Sequence, residues 1–434
     1  MMNIIFSTML LIFSVSIGYS AQLFKPQQWQ TSRGAEVIYY PAMEVPMLDI
    51  SIAFAAGSAF DGKHFGLSAL TTRLLNQGNQ GMSADIIAEQ LAKTGAQYSS
   101  ESNRDMSVFN LKTLTNPGAL KQASDIFSTI INHPDFPQQA FIHEQNQQLT
   151  AIMREQEIPD EMATQLFSKA LYGDHPYAHP INGTQESIKK IRISDVINFY
   201  KKFFVNRNAV IVIVGAIDED TAHKLAEKLC GNLPTGEHAP NMSPAKPLNS
   251  SGTVEFNFPT TQTIIRLGQL GIDHKHPNYF PLQVGNYILG GGNLVSRLAQ
   301  EVREKRGLTY GVYSQFYPML TSGPFLISLS TRNKQKDMAI RIIRETLSNF
   351  MENNIDEQEL LAAKQYLTGS FSLSLASNSS IANMLLKIAF YHLPSDFIDS
   401  YIKNINQVSA KDIKKAFQEQ LNPKKLLQVT VGQS

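Results

Sequence analysis

With Cys230 as its one cysteine in 434 residues, the chain has no intramolecular disulfide and no thiolate metal cage. One-sided charge is also missing: 38 Lys and Arg face 37 Asp and Glu, for a formal net charge of +1. No Lys/Arg block or basic aromatic stripe occurs, which argues against a nucleic-acid surface. Beyond the first twenty residues, no segment is long and apolar enough to span a bilayer. The chain contains no Gly-x-Ser-x-Gly nucleophile elbow and no convincing Ser/His/Asp order for an independent hydrolase. Nor is Gly290-Gly291-Gly292-Asn293 a phosphate loop, since it lacks the spacing that sets amides and a lysine on phosphates. Its bland reading is a tight turn between helices. Charged residues are sparse at 17% against 43% hydrophobic, enough apolar material for real cores and too little charge for disorder. The length suggests two or more domains.

Residues 1–20 read as a secretory signal. The apolar run Ile4 to Ile17 is short for a span and is followed by Gly18, Ser20 and Ala21, so cleavage is expected after Ser20 or Ala21. No Lys or Arg precedes the run, a departure from the usual pattern. An exported, periplasmic protein without a stable membrane span is expected.

The remainder repeats itself. Ser194 to Tyr200 leads into Val210–Gly215, and Asp412 to Phe417 leads into Leu426–Gly432. Asp195 and Asp412, Tyr200 and Phe417, Gly215 and Gly432 are each 217 positions apart. Both copies read as an amphipathic helix followed by a buried strand that stops at glycine. Between the copies, residues 233–252 hold four prolines and two glycines among polar residues, the signature of an extended, semi-rigid linker. Strands are expected at Met47–Ala55, Val108–Leu114 and Thr263–Leu270. Helices are expected at Ala84–Thr94, Glu144–Arg154, Lys336–Met351 and Glu357–Leu367. Segregated strands and helices suggest an α+β class with two homologous domains, 21–232 and 253–434.

Three groups of residues carry a family resemblance. The first is Gly57-Ser58-Ala59-Phe60-Asp61, Gly66-Leu67 and Leu74 to Gly78. The second is Pro159-Asp160-Glu161, His175-Pro176-Tyr177 and Pro180 to Thr184. The third is Gly290 to Asn293, Ser296-Arg297-Leu298 and Arg303 through Gly307-Leu308-Thr309-Tyr310. In this order, over nearly the whole mature chain, they resemble the pitrilysin family of zinc peptidases. That resemblance implies two homologous domains, each a mostly antiparallel sheet with helices on one side, making half of a clam shell. Active members carry His-x-x-Glu-His on the first helix, where two histidines share a face and the glutamate activates water. Aligned on Gly66 and Gly78, those positions are Ala69, Thr72 and Arg73. None can serve: a methyl has no donor atom, a threonine is no base, and a guanidinium repels a dication. The third ligand position falls at Ala151, and Glu144 lies about 10.5 Å away along the helix axis, too far to replace it. His175 and His179 are each followed by a proline, Pro176 and Pro180, and His274 with His276 lack a third partner, so both pairs read as surface or turn residues. No zinc site is expected in this chain.

The resemblance also places Arg303 and Tyr310 at a pair that clamps the substrate carbonyl as charge develops on its oxygen. The bland reading is an arginine at a helix end and a tyrosine packed in a strand. The glycine run could touch incoming peptide, as in the non-catalytic subunit of the mitochondrial processing peptidase. The expected function is the non-catalytic subunit of a heteromeric peptidase acting on peptide or protein substrates. Its partner would be a paralogue bearing the zinc. The rivals are a scaffold or peptide-binding protein of the same fold, like core subunits of respiratory complexes, and an autonomous hydrolase with an unrecognised site.

Overall fold

The computed structural model describes residues 24–248 and 250–433; the expected signal, 1–20, lies outside them. Its strands in chain order are β1 (Gln27–Gln30), β2 (Glu36–Pro41), β3 (Met47–Phe54), β4 (Gly78–Asn79), β5 (Met82–Ser83), β6 (Gln97–Ser102) and β7 (Ser107–Leu114). They continue as β8 (Ala209–Gly215), β9 (Thr253–Asn257), β10 (Gln262–Leu270), β11 (Val312–Phe316), β12 (Pro324–Arg332) and β13 (Leu427–Gly432). One sheet runs β1-β2-β8-β3-β7-β6 and the other β11-β12-β10-β13-β9, with β4 and β5 forming a hairpin apart. The duplication is visible in this order. Leaving out β1, β2-β8-β3-β7-β6 corresponds to β9-β13-β10-β12-β11, with β2/β8 and β9/β13 the parallel pairs and the rest antiparallel.

The central strands of each sheet are buried on both faces, and β8 shows how. Ala209, Ile211 and Ile213 point to the helices of their own half, while Val210, Val212 and Val214 join the core of the other half. A strand buried on both sides reads as a continuous apolar run, as Ala209–Val214 does. The second face is covered by an exchange. The C-terminal helix Asn378–Phe390 lies on β8 and β3 of the first sheet, and the N-terminal helix Pro159–Tyr172 lies on β13 and β10 of the second. The expectation of helices on one side of each sheet holds for a half's own helices; the other side belongs to its neighbour. Gly268 of β10 makes room for this, because a Cβ there would stand 2.8 Å from Cζ of Phe167.

Polar groups fasten the exchange. Arg266 of β10, only 5% exposed, holds the Asp160 carboxylate at 2.6 Å. Asp105, 2% exposed, accepts from the Tyr177 hydroxyl of its own half. From the other half it accepts from the Tyr391 hydroxyl at 3.0 Å and the Leu320 amide at 3.0 Å. Beside it, Arg104 donates to the His179 carbonyl at 2.9 Å and to Ser168 Oγ at 3.2 Å. The linker is strapped down: the Asn206 side chain donates to the Leu233 carbonyl at 2.7 Å, and the Asn206 amide to that of Pro234 at 2.9 Å.

Because Phe167 belongs to one half and packs on the sheet of the other, Phe167→Ala should weaken both together. A loss of about 3–5 kcal/mol is expected for an aromatic removed from a core. In guanidinium titrations, Trp29 fluorescence and far-UV circular dichroism should shift to the same lower midpoint. Separate midpoints would show that the halves do not depend on one another.

Candidate functional site

The helix Leu67–Leu74 starts where Gly66 turns the chain with φ of 92°; a Cβ there would stand 2.6 Å from Ile188 Cδ1. Its first free amides are taken by the buried Asp61 carboxylate, from Gly66 N at 2.6 Å and Ser68 N at 2.7 Å. This satisfies orphan donors and sets negative charge at the positive end of the helix. Burial pushes the Asp61 carboxyl up, opposed by those two amides. Behind the turn, Ser187 Oγ donates to the Phe65 carbonyl at 2.7 Å, and Gln148 donates to the carbonyls of Gly66 at 3.0 Å and Asn182 at 2.8 Å. Most of the first two family landmarks are therefore the mounting of this helix, not its chemistry.

On that mounting the metal positions hold other groups. Ala69 and Thr72 are buried, and Thr72 Oγ1 donates to Ser107 Oγ at 2.8 Å, a neutral bond where a base would stand. Arg73 reaches toward the helix Gln138–Glu155 and places Nε 3.8 Å from Glu144 Oε2. Burial lowers the Arg73 pKa, while the Glu144 and Glu155 carboxylates support its charge. Its Nε and Nη2 have no hydrogen-bond partner among the described residues. A guanidinium thus faces a carboxylate across the two helices, where the resemblance would set a dication. Glu144, too distant to replace the residue at position 151, serves as the counter-charge to Arg73. Gln148, which also joins these elements, carried no motif signal in the sequence.

The histidine pairs do other work. His175 Nε2 bonds the Ser243 carbonyl of the linker at 2.9 Å, and His179, stacked on Phe65 at 4.2 Å, bonds the Pro180 carbonyl at 3.0 Å. His274 stands in a turn, as expected, and is half-buried there. Its ring lies 3.8 Å from that of Tyr391, and burial, with Lys387 nearby, takes its pKa down to about 3. Among the described residues no group of three or more His, Cys, Asp or Glu is placed to hold a metal. Cys230 is buried, and its thiol is pushed up to about 12.

Arg303 ends the π-helical turn Ala299–Glu304 with Nε 3.6 Å from Glu304, and Tyr310 lies in the connection before β11. Tyr310 is 88% exposed, so it is not the packed strand residue of the bland reading. The connection itself is anchored: buried Leu308 donates to the Val302 carbonyl at 3.0 Å and accepts from Thr331 Oγ1 at 2.6 Å. No hydrogen bond joins Arg303 to Tyr310 among the described residues. The glycine run is a close-packed turn. Cβ atoms on Gly290, Gly291 and Gly292 would stand 2.7 Å from Ser314 N, Asn286 Nδ2 and the Tyr287 carbonyl oxygen, while Asn293 has φ of 54°. Gly290 packs on β11, so the run and the Arg303–Tyr310 connection meet at one sheet edge.

Comparison with known proteins agrees with this geometry. Residues 42–185 match the domain described as insulinase (peptidase family M16), and residues 190–367 match the peptidase M16 inactive domain. The chain is 26% identical over 388 residues to the "uncharacterized zinc protease YmxG" of Bacillus subtilis, covering 89% of this chain and 93% of that one. It is 27% identical over 413 residues to the "non-peptidase homolog YmxG" of Helicobacter pylori, covering 93% of each. A solved peptidase M16 inactive domain from Pseudomonas fluorescens superposes with a TM-score of 0.92 at 33% identity, covering 94% of this chain and 98% of that one.

Two measurements follow. Metal analysis after dialysis should find far less than about one zinc per chain. The triple replacement Ala69→His, Arg73→His, Ala151→Glu should take up zinc, whereas the two histidines alone should not hold it stoichiometrically. Stoichiometric zinc on the natural chain would refute the reading. As for acid, His274 has its folded pKa below its unfolded value near 6.5, so its contribution is full above that value and lost as pH falls toward 3. By pH 5 the loss should be roughly 2 kcal/mol. His274→Phe, which keeps the stack, should lose less between pH 7 and 5 in denaturation curves.

Proposed function

The chain belongs to the M16 peptidase family, and on that premise we propose that it is the non-catalytic subunit of a heteromeric zinc peptidase. It is an inactive member: Ala69, Arg73 and Ala151 supply none of the three metal ligands. The partner, a paralogue with an intact His-x-x-Glu-His helix, would bring zinc and general base. This chain would complete the substrate chamber and present Arg303 and Tyr310 to the substrate carbonyl. The observation that carries the proposal is Tyr310 itself. A tyrosine 88% exposed on an anchored connection buries nothing in its own chain. Its hydroxyl is held out on a fixed backbone, as a donor aimed at a partner's substrate must be, and a guanidinium seven residues earlier can share the developing charge. The glycine run at the same edge would border incoming peptide. With Ile4–Ile17 acting as a cleaved signal, the complex would work in the periplasm. A scaffold of the same fold is the second reading, favoured by the Arg73–Glu144 pair, which retains the mounting without its metal.

The test is made on the reconstituted pair. The chain alone should show no chelator-sensitive peptide cleavage; with its zinc-bearing paralogue it should. In the pair, Tyr310→Phe removes one donor and should lower kcat by about 10²–10³, with KM little changed. Arg303→Lys should also slow turnover, because a point charge does not reproduce a planar fork. Normal kcat for Tyr310→Phe in an intact pair would favour the scaffold.

A further inference from the structure

On the first sheet, β2 turns Ile38 and Tyr40 toward the core shared with the second half, and the alternation of a strand sets Glu36 on the same face. Register places Glu36 beside Gln30 of β1 and Val210 of β8, so its backbone is covered on both sides and its side chain is the part left free. A charge ends this apolar row because the cover ends there. The helix Asn378–Phe390 stops at Phe390, and a cavity of about 430 Å³ opens beyond it. Glu36 and Arg207 border the cavity from the first half, Leu320 and His392 from the second, and His238 and Met242 from the linker. Its frame is tied: Asn208 donates to the Phe203 carbonyl at 2.7 Å and accepts from the Ala239 amide of the linker at 3.1 Å.

The charges on this cavity are not spent inside the chain. The Glu36 side chain is half-buried, and among the described residues its carboxylate makes no hydrogen bond or ion pair. Burial pushes its pKa up, with His392 close enough to oppose that. Arg207, His238 and His392 are exposed, and their side chains are equally without partners among the described residues. A carboxylate open to a cavity favours an ammonium, and a guanidinium favours a carboxylate in return. Their spacing selects the ligand. A Cβ on Gly34 would stand 3.3 Å from Arg207 Cγ, and Gly34 lies two residues before Glu36, at most about 7 Å along the chain. The two charges of an extended dipeptide are about as far apart, whereas those of a free amino acid are only about 2.5 Å apart. Gln30 and Asn241 also border the cavity and can meet a peptide group, while Phe60, Leu320 and Met242 suit an apolar side chain. We propose that this cavity binds a dipeptide with free ends, its ammonium on Glu36 and its carboxylate on Arg207. The site shares no residue with the Arg303–Tyr310 edge, and its occupant would touch both halves and the linker.

Calorimetric titration of the full chain with L-alanyl-L-leucine tests this. Saturable binding in the millimolar range or tighter is expected. N-acetyl-L-alanyl-L-leucine and L-alanyl-L-leucinamide each lack one charge and should bind at least about tenfold more weakly, the loss of one hydrogen bond to a charged group. Free L-leucine, too short to reach both side chains, should be weakened in the same measure. Glu36→Gln and Arg207→Gln should each reduce affinity by a similar factor. Asn241→Trp, at an exposed residue of the linker wall, should block the cavity while leaving the fold intact by circular dichroism. Absence of binding by L-alanyl-L-leucine, equal binding of its acetylated or amidated form, or undiminished binding to Asn241→Trp would overturn the proposal.

Discussion

The structure depends on one constraint: each sheet has two apolar faces and its own half has helices for only one. An uncovered face would leave the Val210, Val212 and Val214 row in water, at roughly 1.5–3 kcal/mol for each side chain. Exchange of the helices Pro159–Tyr172 and Asn378–Phe390 removes that exposure in both directions at once. The features that look local serve this exchange. Gly268 is small so that Phe167 can seat, Arg266 and Asp160 set where the incoming helix begins, and Asp105 gathers donors from both halves.

The helix Leu67–Leu74 is held by groups that take no part in metal chemistry. Asp61, Gly66, Asn182 and Ser187 position a helix, and a helix must be positioned whether or not it carries histidines. The replacement at position 73 keeps a positive charge between two helices, with a carboxylate opposite. Such a pair need not add stability over an apolar contact, but removing one partner would strand the other in a poorly solvated place.

Much of this was legible in the sequence. The 217-residue repeat anticipated two sheets of the same strand order, because helix-then-strand units with matching glycine stops bury alike. The resemblance, anchored on Gly66 and Gly78, named Ala69, Thr72 and Arg73 as the positions to compare with the family's motif. Several things were not legible. The Asp105 cluster joins residues far apart, and its Tyr391 and Leu320 partners carry no motif. The burial of His274 depends on the ring of Tyr391, far along the chain in the same half. Helix ends were also short in the reading, Glu144–Arg154 against Gln138–Glu155 and Glu357–Leu367 against Glu357–Leu373, since polar faces hide helical period at the termini. Nor could the pattern tell that the second sheet face would be covered from the other repeat, since an apolar run does not name its neighbour.

That crossing of helices has an evolutionary consequence. A single copy of the repeat, before duplication, would have carried a helix with no sheet of its own beneath it and a sheet with one face bare. It could have buried both only against an identical copy, by trading that helix in a two-fold pair. On this account gene fusion would have joined such a pair, with the strapped segment 233–252 as the seam. The two halves would have been free to diverge only after that, each sheet already covered by its neighbour's helix.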